Sequence, residues 1–361
     1  MSIQKKNQLV GLDIGCHSIK LVEIDYVKSG MALKSLGIAG LPPDAIVEGG
    51  IKEIEVVTSA IKNLFKNLKV KNKNVATSIS GYSVIVKKIS LEKKEESELE
   101  AVIYDEAEQY IPFDIKEVNL DFDTLRIANG AEEEEEGEKA AADGTDVMLV
   151  AAKKDVVDDY VRLLQAAQLN PMVMDVDSFA LQNALELGMG EQKECCAIVN
   201  IGAEEIGINA VKNGISLFTR DSSYGGSEIT REIMSEFNVP FEEAEKIKLS
   251  GTKVEKEKKS LEEIVTSVVS GWVQEIKRAL DFVSNTYPDE SIEKIYVCGG
   301  SCRISGFQKY LEQETAIPVF ELNPLENLLI SEKMFDMRYI KYMAPQVAVA
   351  VGLALRSIGD K

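Results

Sequence analysis

The chain has one histidine and only five cysteines among 361 residues. With His17 alone, no Ser–His–Asp triad and no histidine-based metal cluster can be assembled. Cys16, Cys195, Cys196, Cys298 and Cys302 are an odd set without a regular framework. That excludes a disulfide-stapled secreted domain and points to a reducing compartment. No pair has the C-x-x-C spacing of a zinc site, and Cys298 and Cys302 read as small buried fillers. Basic charge is also scarce. Lysine and arginine total 41 against 60 aspartates and glutamates, a net charge of -19. This argues against sequence-independent nucleic-acid binding and against adhesion to anionic lipid. Long apolar runs are missing. The longest, Met343 to Leu355, contains Pro345 and Gln346 and is too short to span a bilayer. Asp13 interrupts the apolar stretch after Lys5 and Lys6, so no signal peptide is expected. The expectation is a cytoplasmic chain of two or more domains that meets a membrane only through a partner.

One short pattern is written twice. The first copy reads Val10-Gly11-Leu12-Asp13-Ile14-Gly15-Cys16-His17-Ser18-Ile19-Lys20. The second reads Ile198-Val199-Asn200-Ile201-Gly202-Ala203-Glu204-Glu205-Ile206-Gly207. Asp13 falls on Asn200, Gly15 on Gly202 and Ile19 on Ile206. Each copy is an apolar strand, a small acid or amide, a glycine turn and a return strand. Glycine is expected there to supply a positive φ and to let a ligand approach the backbone. Two facing hairpins of this kind can grip a phosphate tail through backbone N–H groups. Asp13 suits Mg²⁺, directly or through water, and Lys20 can reach a phosphate. His17 reads as a turn residue whose N–H meets phosphate rather than as a catalytic base. A third element, Val297-Cys298-Gly299-Gly300-Ser301-Cys302-Arg303-Ile304, runs a strand into a double glycine. Such a turn admits a flat base or an α-phosphate.

Apolar spacing predicts helices over 56–68, 95–111, 155–167, 177–187, 228–237, 241–249, 261–285 and 346–357. Strands are predicted over 8–26 (a pair), 33–39, 75–89 with a bend at Gly81, 118–127, 147–152, 196–218 and 295–298. The run Glu132 to Glu136 lies in a solvated hairpin loop between two of these strands.

The constellation resembles the actin-like ATPase superfamily, and within it most closely the PilM family of type IV pilus assembly proteins. The stretches that carry the likeness are Val10–Lys20, Ala107–Asp114, Asp175–Ala180, Arg220–Glu228, Glu275–Phe282, the Gly299–Gly306 loop and Ala344–Arg356. The resemblance implies an α/β actin-like ATPase fold with two ribonuclease-H-like halves and an inserted small α+β module. It implies subdomain 1A over 1–82 and 171–194, with 344–361 returning to it. The inserted 1C would cover 83–170, 2A would cover 195–227 and 294–343, and 2B would cover 228–293.

It also implies ATP with Mg²⁺ as ligand. The binding residues would be Asp13, Gly15, Cys16, His17, Ser18, Lys20, Asn200, Gly202, Ala203, Gly299, Gly300, Ser301 and Ile304. Glu275 and Arg278 match positions that contact ribose and adenine, unless they form an exposed helical face. Asp13 and, through water, Asn200 would hold the metal. Asp13, Asp175, Asp177 and Gln182 remain to orient water, although the aspartates at 175 and 177 equally suit helix capping. Family partners are the N-terminal cytoplasmic tail of PilN, received in a groove between 1A and 1C, and the pilus motor ATPases. Tyr110, Ile111 and Phe113 either border that groove or pack the module. Two departures stand out: Asn200 replaces an acid, and Ile206 stands where Thr is expected. An amide cannot act as a general base, so hydrolysis should be slow or absent. An FtsA-like filament protein and a small-molecule kinase share the fold and are the alternative readings; a second copy of the chain, as a homo-oligomer, is also a candidate partner.

Overall fold

The computed structural model describes residues 8–92, 96–125, 144–251 and 255–359. The Glu132–Glu136 run, expected in a loop, lies outside the described residues. In chain order the first half contains β1 (Val10–Ile14), β2 (Ser18–Val27) and β3 (Gly30–Gly40). A two-residue pair, β4 (Ile46–Val47) and β5 (Gly50–Ile51), leads into α1 (Ile54–Asn67) and β6 (Asn74–Ile79). Then come β7 (Val84–Glu92), α2 (Glu96–Ala107), β8 (Val118–Thr124) and β9 (Gly144–Lys153). The half closes with α3 (Lys154–Ala166), β10 (Asn170–Val176) and α4 (Asp177–Met189).

The second half opens with β11 (Cys196–Ile201), β12 (Ile206–Lys212) and β13 (Ile215–Ser222). Helices α5 (Gly226–Phe237), α6 (Phe241–Ser250) and α7 (Glu255–Thr286) follow. It ends with β14 (Lys294–Cys298), α8 (Phe307–Thr315), β15 (Val319–Glu321), α9 (Met337–Met343) and α10 (Ala348–Ala354).

The internal repeat of the sequence is a repeat of topology. The first sheet has the order β10-β6-β1-β2-β3 and the second β13-β12-β11-β14-β15. In each, three antiparallel strands make a meander, and the first strand of that meander pairs in parallel with the next strand outward. Ile14 pairs with Ile19 in one hairpin and Ile201 with Ile206 in the other, so the two motifs align in register as well as in sequence. This is the α/β actin-like ATPase architecture. A smaller antiparallel sheet, β7-β9-β8, hangs from the end of β6. The chain enters it through a single 3-10 turn, Gly81–Ser83, at the predicted bend.

Helix periodicity finds its burial partners. On α1, Val57, Ile61, Leu64 and Phe65 are buried against the first sheet. Tyr160, Leu163 and Leu164 of α3 join the same core, so α3 packs on the first sheet rather than on the small one. In the second half Trp272 stands edge-on to Phe307, centroids 5.9 Å apart, in a core built from α5, α7 and the second sheet. The described residues contain no helix long and apolar enough to cross a membrane.

Three local readings are corrected. The segment 346–357 is not one helix. A 3-10 turn covers Ala344–Val347, α10 ends at Ala354, and Ser357 forms a bridge with Gln8. Pro345 cannot donate a helical N–H, which favours the tighter turn there. Strand β10 was not foreseen, because Pro171 and a register shift between Pro171 and Val173 break its pattern. Helices α8 and α9 were not foreseen either. Close packing of α10 relies on glycine. A Cβ on Gly11 would strike Ala350 O, and one on Gly352 would strike Ala180 O, so α10 lies directly on β1 and α4.

Candidate functional site

The two hairpin turns face each other across a cleft of about 330 Å³ between the halves. Its lining includes Asp13, Gly15, Cys16, His17, Ser18 and Lys20 from the first turn. Asn200, Gly202, Ala203, Glu204 and Glu205 come from the second, and Gly299, Gly300, Ser301 and Ile304 from the double-glycine loop. Three segments nearly 300 residues apart thus converge as the motifs imply.

The turns are alike in detail. Gly15 N–H donates to Ser18 O at 3.2 Å, and Gly202 N–H donates to Glu205 O at 2.8 Å. Neither glycine has a positive φ, contrary to expectation. Room is what they supply. A Cβ would lie 3.2 Å from Lys20 Nζ at Gly15 and 3.1 Å from Glu205 O at Gly202. The left-handed glycine is Gly299, φ 88°, and a Cβ there would collide with Ile201 O. Ser301 N–H donates to Ile201 O at 3.0 Å and Ser301 Oγ to Gly202 O at 3.0 Å. Gly226 N–H reaches Gly202 O and Ser227 N–H reaches Ala203 O. Loop two is therefore fastened by its carbonyls.

Charge in the cleft is uneven. Lys20 Nζ lies 3.2 Å from Asp13 Oδ2. Asp177 accepts from Ser78 Oγ at 2.5 Å, and its carboxyl is pushed up to about 7 by desolvation first and the Asp13 charge second. Glu205 is held well above the ordinary carboxylate range by burial and by Asp221 and Asp177. Burial likewise raises Asp221. Cys16 is pushed up to about 12, mainly by burial, so it remains a thiol at neutral pH. Burial lowers His17, whose ring stands 6.2 Å from that of Phe241 across the cleft. The two rings are tilted by 43° and His17 as a whole remains exposed, which suits a turn residue. Among the described residues no group of three acidic, histidine or cysteine ligands could hold a metal by itself.

Four expected residues lie elsewhere. Gln182 Nε2 donates to Gly214 O at 2.5 Å, steadying the β12–β13 turn. Glu275 is buried; it receives Ser222 Oγ at 3.1 Å and faces Arg220 at 3.0 Å and Arg278 at 3.2 Å. It is thus not an exposed helical face, and neither Glu275 nor Arg278 lines the cleft. Asp175 is buried against Arg356, 3.3 Å away. The cleft instead includes Glu245 and Lys248 of α6. Lys248 Nζ donates to Glu245 at 2.5 Å and Thr230 at 2.8 Å. Their i,i+3 spacing was the one available signal, and it is common on solvated helices.

A second cavity, about 410 Å³, opens between the first sheet and the small sheet. Val84, Ile85, Val86, Pro112 and Phe113 give it apolar walls, with Lys153 over the Phe113 ring at 4.6 Å. Thr219, Arg220 and Asp221 close its far side. Ile111 is buried in the small sheet's core, and Tyr110 packs against that core beneath Lys87. Of the three residues proposed for a groove, Phe113 lines it.

A family model described as type IV pilus assembly protein PilM matches residues 11–358. Among solved structures, a chain of a PilM–PilN type IV pilus biogenesis complex is 30% identical, with a TM-score of 0.84 over 98% of this chain and 99% of that one. The ethanolamine utilization protein EutJ from Carboxydothermus hydrogenoformans is 16% identical, with a TM-score of 0.55 over 96% and 89%. MreB5 of Spiroplasma citri bound to ADP is 15% identical, with a TM-score of 0.47 over 93% and 98%. Since the family match runs from the first hairpin to beyond α10, the chain belongs to the PilM family of type IV pilus assembly proteins.

Proposed function

We propose that this chain is an ATP-holding scaffold of the pilus assembly machine that receives the N-terminal cytoplasmic tail of PilN in its second cavity. The observation that carries the reading is the convergence of Gly15, Gly202 and Gly300 on one cleft, beside an apolar groove of a size and lining that suit an extended peptide. The similar chain of the PilM–PilN complex supports the partner. Tethered through PilN, the protein would sit at the inner membrane and connect it to the motor ATPases.

In the cleft the two turns would hold the phosphate tail and Lys20 would neutralise part of its charge. Gly299 to Ile304 would take the base, and Glu245 and Lys248 the sugar hydroxyls. Bound Mg²⁺ would supply charge neutralisation between phosphates. Asp13 would hold it, with Asn200 contributing through water. A general base is poorly provided. Asn200 cannot serve, and Gln182 is committed to Gly214 O. Asp177, raised to about 7, has a proton affinity that suits a base, but it is already held by Ser78 Oγ. Hydrolysis should therefore be slow, with ATP acting as a clamp between halves. We also place the end of the inserted subdomain near Lys153 rather than residue 170, because α3 packs on the first sheet.

Isothermal titration tests both halves of the reading. Mg-ATP and a peptide of the cognate PilN N-terminus should each bind the purified chain. Absence of peptide binding with and without nucleotide would reopen the filament and kinase readings.

A further inference from the structure

The nucleotide cleft and the apolar groove share a wall. Ile79, Ser80 and Asp177 line both cavities. Immediately beyond them the chain turns at Gly81 into the small sheet. That turn is gripped from the other half of the molecule. Asp221, at the end of β13, accepts from Gly81 N–H at 2.9 Å. Glu205, in the second hairpin turn, faces the same turn: Asp221 raises the affinity of its carboxyl for a proton and Ser80 lowers it. A Cβ built on Gly81 would lie only 2.7 Å from Glu205 Oε2, and Gly81 has a φ of 75°. Glycine is thus required there both by conformation and by the approach of the Glu205 carboxyl.

We propose that the Glu205–Asp221 pair is the positioning device through which an occupied cleft sets the shape of the peptide groove. It rests on the reading of the cleft as a nucleotide site and the groove as the PilN site. Glu205 belongs to the loop that would close on phosphate, and Asp221 lines the groove. Movement of the Glu205 carboxyl on nucleotide binding would therefore reach the Gly81 N–H through Asp221. Burial and the neighbouring Asp221 charge both raise Glu205, so it favours its protonated form beside Asp221. Burial also raises Asp221, while Glu205 and the Gly81 N–H lower it, which leaves the proton on Glu205. A protonated Glu205 can donate to Asp221, and linkage makes the effect reciprocal: peptide must alter nucleotide affinity by the same factor.

The test is a thermodynamic square. The affinity of a PilN N-terminal peptide is titrated with and without Mg-ATP, in the wild type and in Glu205→Ala and Asp221→Ala, which remove the carboxyls outright. In the wild type, nucleotide should change peptide affinity by about 5-fold or more. Whatever either variant does to each affinity alone, that factor should fall to near 1. An undiminished factor in a folded variant overturns the proposal. A wild type that binds both ligands with no cross-effect overturns it too, while leaving the scaffold reading intact. Failure of the wild type to bind one ligand defeats the scaffold reading itself. Should the variants misfold, amide exchange on the unmodified chain decides. Segment 79–82 should exchange more slowly once Mg-ATP is bound, and an unchanged rate contradicts the coupling.

Discussion

Asp13 and Lys20 are cross-strand partners, with 3.2 Å between carboxylate and ammonium, while the equivalent partners in the second hairpin are Asn200 and Gly207. The two halves repeat one topology, but only the first hairpin carries an ion pair at this register position. Lys20 is expected to serve the phosphates, and Lys20→Ala removes it while leaving Asp13 to repel them. Mg-ATP affinity should fall roughly 10-fold or more, as for loss of a hydrogen bond to a charged group. Isothermal titration checks this, and unchanged affinity removes Lys20 from the site.

Asn200→Asp restores the acid that the second turn lacks. Basal phosphate release should rise at least 10-fold if the missing carboxylate is what limits turnover. A flat rate in a variant that still binds nucleotide means that another group is limiting.

Asp177 gives a pH dependence with a definite sign. Folding raises its carboxyl from the ordinary range to about 7. The native chain thus retains a proton that the unfolded chain releases. This contribution to stability is fully present below about pH 4 and is lost as pH rises through about 7. Asp177→Asn should therefore raise the melting temperature relative to wild type at pH 8 but not at pH 4. A difference independent of pH contradicts the shift.

Gly352 lies against Ala180 O with no space for a side chain. Gly352→Ala should cost about 1–3 kcal/mol or more through overpacking, read as a lower denaturant midpoint. A change below about 0.5 kcal/mol is what an unconstrained surface site gives and contradicts the close approach of α10 to α4.

The hairpins were legible because apolar strands, a glycine turn and a repeated offset are local signals. The bend at Gly81 was legible for the same reason. Its consequence was not: Glu205 and Asp221 reach it from more than a hundred residues away, and no spacing encodes that meeting. Glu275 was misplaced for a related cause. The motif sets its position on α7, but packing turns its carboxylate toward Ser222 and Arg220, away from the cleft. The expected positive φ at Gly15 and Gly202 failed because the turn needs clearance beside Lys20 and Glu205, not a left-handed backbone.

The most direct test of the scaffold account is titration of the PilN N-terminal peptide into the wild type and into Val86→Asp, which places a charge in the apolar groove wall. The wild type should bind, and the variant should lose at least 10-fold in peptide affinity while retaining Mg-ATP. Equal peptide affinity in both proteins would contradict the assignment of the groove.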